Sequence, residues 1–177
     1  MTRRSYQERL KTLRAKMRSA KIDAFVLFTH EDGNQNIRYI SGFGGTTAIV
    51  LVTPAEALIG TDSRYTERAR REAPQFRVVE IKPRQHFSDI IAEAIAADRT
   101  VRKIGYEGHR VSVLGARAWE KLFPKKLVPL EDIIGKMRQR KDEGEIRAIR
   151  RACRATSRVF EKVKKRIKPG VREIDVA

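Results

Sequence analysis

The sequence predicts an α/β fold: a mixed, roughly six-stranded sheet flanked by helices and followed by a long C-terminal helix. Three observations predict it. Short apolar runs alternate with stretches of helical period over the first 130 residues. Two of the runs are separated only by Pro54-Ala55-Glu56, a connection that suits an antiparallel hairpin. The last quarter carries helical period almost throughout.

The elements follow in order. From Arg3 to Lys21, apolar residues fall at Tyr6, Leu10, Leu13, Met17 and Ala20, one face of an amphipathic helix. Ala24-Phe25-Val26-Leu27-Phe28 is a buried strand. The polar stretch from His30 to Asn36 is a loop, and the turn residues continue it through Ser41-Gly42-Phe43-Gly44-Gly45. Thr46–Thr53 and Ala57–Thr61 form the hairpin. Asp62 or Ser63 then caps a helix carrying Tyr65, Ala69 and Ala73, which ends before Pro74. Arg77–Ile81 is a strand, Ser88–Ala97 a helix, Lys103–Glu107 a strand and Val113–Phe123 a helix. Leu127–Leu130 is a last strand, placed at an edge by Pro129.

These elements close a domain over residues 1–131. Residues 132–145 read as a linker helix and joint, and residues 146–177 as the start of something further. In that last part Ile146, Ile149, Cys153, Thr156, Phe160, Val163 and Ile167 recur at alternating three and four. The helix they mark ends at Lys168-Pro169-Gly170. Buried Ile and Phe side chains contribute about 1.5–3 kcal/mol each, so the stripe is expected to find cover. A second copy of itself, giving a dimer, or the chain's own sheet would provide it.

Composition narrows the function classes. Hydrophobic residues make up 41% of 177, enough for a core. No apolar run reaches the roughly 20 residues of a membrane helix. The basic N-terminus lacks a signal peptide's apolar segment. One cysteine, Cys153, excludes an internal disulfide and suits a reducing cytoplasm. Lys plus Arg number 39 against 22 Asp plus Glu, a formal net charge of +17. Such a field attracts polyanions without a dedicated site, so a basic nucleic-acid-binding module stays in view as an alternative of another class.

Chemical motifs are sparse. Gly42, Gly44 and Gly45 lack the third glycine of a dinucleotide loop, and no Gly-Lys-Ser/Thr occurs. His30, His86 and His109 show no metal spacing with one another or with Cys153. Cys153 falls on the apolar stripe, which assigns it a packing role. Ser41 lacks a nucleophile elbow.

Five segments carry a family resemblance. They are Asn36-x-x-Tyr39-Ile40-Ser41-Gly42-Phe43, Thr61-Asp62-Ser63-Arg64-Tyr65, Ile104-Gly105-Tyr106-Glu107-Gly108, Arg140-Lys141-Asp142-Glu143-x-Glu145-Ile146 and Ile167-Lys168-Pro169-Gly170-Val171-x-Glu173. In this order and at these spacings the chain resembles the N-terminal domain of the creatinase/prolidase/aminopeptidase P family. The resemblance implies a small α/β domain joined to a larger pita-bread domain, whose start would be residues 146–177. That larger domain would hold two divalent metals, manganese or cobalt, on two aspartates, a histidine and two glutamates. A metal-bound hydroxide there would cleave the peptide bond before proline. This chain stops before those ligands, so no catalytic or metal-binding residue is assigned in it.

The resemblance also implies a homodimer in which the small domain narrows the partner's active site around proline-containing peptides. Candidate substrate contacts are His30, Tyr39, Phe43 and Arg64. Tyr39 and Phe43 are alternatively core residues, and Arg64 is alternatively an ion-pair partner of Asp62. Asn36, Gly42, Asp62 and Tyr65 are structural members of the motif. A creatine amidinohydrolase or a non-peptidase relative shares the fold implied.

Overall fold

The computed structural model describes residues 3–29, 33 and 35–176, the side chains at positions 3 and 4 excepted. Thr2–Gln139 and Arg140–Ala177 form two compact units.

The first unit is built on six strands: β1 (Ala24–Thr29), β2 (Ala48–Val52), β3 (Ala57–Thr61), β4 (Arg77–Glu80), β5 (Lys103–Glu107) and β6 (Lys126–Leu130). Their order across the sheet is β4-β3-β2-β1-β5-β6. The hairpin is present, with Leu51 opposite Leu58. β1 pairs antiparallel with β2 and parallel with β5. The outer pairs β3–β4 and β5–β6 are parallel, so the sheet is mixed and Pro129 sits on an edge strand.

Two apolar layers cover this sheet, and the strands' two-residue period sorts side chains between them. Phe25, Leu27, Val50 and Ile59 face helices α1 (Arg3–Ser19), α2 (Gln35–Ser41), α3 (Thr66–Glu72) and α6 (Ile133–Gln139). Ala24, Val26, Leu51 and Leu58 face α4 (Phe87–Ala97) and α5 (Val113–Leu122). β2 is buried along its whole length, as a strand with helices on both faces must be. α1 lays Leu10, Leu13 and Met17 into the first layer, the face its periodicity predicts.

Several expectations change. The stretch read as loop contains α2. Its seven residues are no strong helix former, but Ile37 and Ile40, three apart, are both buried beneath α1 and tertiary packing decides. The helix after β3 begins at Thr66, not at Asp62 or Ser63. The Asp62 carboxylate instead accepts from the Arg64 amide and guanidinium, and Tyr65 N donates to Asp62 O in a turn. Cys153 is exposed rather than packed.

The second unit is led by α7 (Glu143–Lys164). Asp142 caps it: its carboxylate accepts from Glu145 N at 2.8 Å, while the Glu145 carboxylate accepts from Asp142 N at 3.0 Å. The helix ends four residues before Lys168, in a tightened turn where Arg166 N and Ile167 N both donate to Val163 O.

Candidate functional site

Asn36 sits in the first turn of α2 and is 4% exposed. Its amide nitrogen donates to Glu107 Oε1 at the end of β5 and, at 3.3 Å, to Asp132 Oδ1. Its amide oxygen accepts from Arg138 Nη1 of α6 at 2.8 Å. One side chain thus joins three elements that are distant in sequence. Asp132 also caps α6, accepting from Gly135 N at 2.7 Å. Glu107 is buried, with the Arg110 guanidinium 4.0 Å away, and Arg110 Nη2 donates to Gly33 O. A buried carboxylate needs such company, because leaving it unpaired costs several kcal/mol.

The loop leaving α2 is held as closely. Ser41 is fully buried; its hydroxyl donates to Ile37 O at 2.7 Å and accepts from Phe43 N at 3.0 Å. Gly42 has φ +88°, and a Cβ there would lie 2.8 Å from Glu72 O and 2.9 Å from Tyr6 Cζ. The Gly44 amide donates to Glu72 Oε2 at 2.9 Å, and Arg68 binds the other carboxylate oxygen at 2.8 Å. Burial alone would push the Glu72 pKa up. The Arg68 and Gly44 hydrogen bonds, with the charges of Arg68 and Arg71, outweigh it and hold the carboxyl below its ordinary value.

Among the described candidate substrate contacts, Phe43 and Arg64 both lie against the Tyr65 ring, while Tyr39 stacks on Arg9. His30 lies outside the described residues, as do 31, 32 and 34 of its loop. Tyr39 is half-buried, with the Arg9 guanidinium stacked 3.9 Å from its ring centroid and donating to its carbonyl at 3.0 Å. Phe43 is 1% exposed and meets Tyr65 edge-on at 6.0 Å. Arg64 clasps Asp62 in two parallel bonds of 3.0 and 2.9 Å, yet its side chain stays 71% exposed. The Arg64 hydrogen bond, ahead of its charge, holds the Asp62 carboxyl below its usual range.

Among the described residues, one group has metal-ligand proximity: Glu107, His109 and Asp132, with donor atoms within 4.8 Å. Three donors do not fit the two-metal, five-ligand centre implied by the resemblance, and both carboxylates already accept from Asn36. The network contains no poised nucleophile. Its geometry fixes the motif loop and the end of β5 against each other.

In the sequence Asn36 and Glu107 fall in separate motifs, and Asp132, Arg138 and Glu72 fall in none. Asp132 alone carried a signal, as an acid just ahead of an apolar-periodic helix.

A mixed sheet of this order, with its turn motif tied to β5, defines a creatinase-like N-terminal α/β domain. Residues 9–140 match the Creatinase/Prolidase N-terminal domain, and the chain belongs to that family. It is 26% identical over 147 residues to the uncharacterized peptidase YqhT of Bacillus subtilis (strain 168), covering 81% of this chain and 40% of that protein. Among solved structures, an Xaa-Pro dipeptidase from Bacillus anthracis superposes with TM-score 0.85 at 27% identity, over 97% of this chain and 46% of that one. An X-Pro aminopeptidase from Thermotoga maritima MSB8 gives TM-score 0.82 at 32% identity, over 96% and 46%. The chain spans less than half the length of these relatives.

Proposed function

We propose that this chain is the accessory N-terminal part of a proline-specific metallopeptidase, an Xaa-Pro dipeptidase or aminopeptidase of the cytoplasm. Its work is dimerisation and restriction of the partner's active site. The observation that carries this reading is the near-complete alignment with under half of two Xaa-Pro enzymes. Manganese or cobalt chemistry belongs to a catalytic domain outside these 177 residues. Arg64 is the residue best suited to meet a substrate carboxylate. Asp62 holds its guanidinium oriented while leaving most of it in water. Phe43 and Tyr65 shape the loop from beneath, and Tyr39 does so through Arg9.

Replacing the matched portion of the Thermotoga enzyme with this chain tests the proposal. A soluble, dimeric chimera is expected to cleave Xaa-Pro dipeptides in the presence of manganese or cobalt. Arg64→Gln in that chimera is expected to raise KM more than it lowers kcat. A folded dimeric chimera without turnover contradicts the proposal.

A further inference from the structure

α7 is charged on the side away from its apolar stripe. Arg147, Arg150, Arg151, Arg154, Arg158 and Lys162 recur at steps that bring them to one face. All six are exposed, and no ion pair among the described residues includes them. At ~1.5 Å rise per residue they run for about 22 Å along the helix. Two acids share the azimuth of this face, Glu161 within the row and Glu143 one turn ahead of Arg147. Helical projection puts Ile146, Ile149, Cys153, Phe160 and Val163 on the opposite side.

We propose that this arginine face binds duplex nucleic acid through its phosphates. Six like charges in a row repel one another, and a polyanion relieves that repulsion. Arginine predominates, and its planar fork matches phosphate oxygens in pairs. The net charge of +17 draws such a ligand from a distance. Covering the apolar stripe leaves the basic face open. An apolar stripe opposite a basic face also suits the surface of an anionic bilayer; the choice of the duplex rests on the proposed function, in which further protein covers that stripe and leaves only the arginines to meet a ligand.

The test uses the whole 177-residue chain and a fluorescent 20-base-pair DNA duplex, followed by anisotropy between 50 and 200 mM salt. With roughly five phosphates engaged, log K is expected to fall against log salt with a slope of about −4 to −5. Gln at Arg150, Arg151, Arg154 and Arg158 together keeps helix propensity, checked by circular dichroism. It is expected to weaken binding at least tenfold at 100 mM salt and flatten the slope by about 3 units. A control removes the same charge from exposed Lys11, Lys16, Arg18 and Lys121 and is expected to change affinity within about twofold. Equal weakening by both variants would assign the binding to diffuse charge and overturn the proposal. So would absence of binding at 50 mM salt, or binding to phosphatidylserine vesicles but not to the duplex.

Discussion

Asn36 does the work of three contacts with one amide. Asn36→Ala would strip a partner from buried Glu107, from Asp132 and from Arg138 at once. Hydrogen bonds to charged groups contribute about 1.5–3 kcal/mol, so a loss of about 2–4 kcal/mol is expected, read from the urea midpoint. A loss under about 1 kcal/mol would mean that water replaces the amide there. Gly42 is held to glycine by two independent demands, its positive φ and the contact with Glu72 O. Gly42→Ala is expected to destabilise by about 1–3 kcal/mol in the same measurement. Much of this was hidden in the sequence for a physical reason. Asn36 and Glu107 are 71 residues apart, and only the parallel pairing of β1 with β5 brings their elements together. The glycine cluster suggested a turn, but which glycine is irreplaceable depends on Tyr6 and Glu72, from other elements.

Among the elements, the strands were legible because burial on both faces leaves continuous apolar runs, and the hairpin because Pro54-Ala55-Glu56 sets two such runs close together in the sequence. α2 was not, since a seven-residue helix draws its stability from packing rather than from its own composition. The start of α3 shifted because a neighbouring arginine claimed the expected cap. α3 in turn anchors the glycine loop through Arg68 and Glu72, and that link titrates. The Glu72 pKa is depressed in the fold, so its contribution is present above the unfolded carboxylate's pKa. It is lost as pH falls through the depressed folded value. Stability should therefore fall as the pH drops below about 4.3, and Arg68→Gln should shallow that acid limb. Urea midpoints from pH 3 to 7 on both proteins decide it; parallel curves would remove the role given to Arg68. In the sheet, a Cβ on Gly105 would lie 2.5 Å from Ile22 Cδ1 and 2.7 Å from Leu130 Cδ1. Gly105→Ala is expected to cost about 1–3 kcal/mol by overpacking.

Across the whole molecule, a well-packed sheet contrasts with a helix whose apolar side chains are exposed. Phe160 is 62% exposed and Val159 59%, while the central strands are shut from water. Within the proposed peptidase, the first unit is a lid and docking platform, and the exposed stripe of α7 is where further protein packs. In isolation the chain is expected to be a dimer by sedimentation equilibrium, and a strict monomer would count against that part of the account.

The proposed function puts the peptidase chemistry outside these 177 residues. It is tested by metal analysis and turnover on the purified chain incubated with manganese or cobalt and Xaa-Pro dipeptides. Less than one tightly held cation per chain and no cleavage are expected. Two bound cations together with hydrolysis of the bond before proline would contradict it.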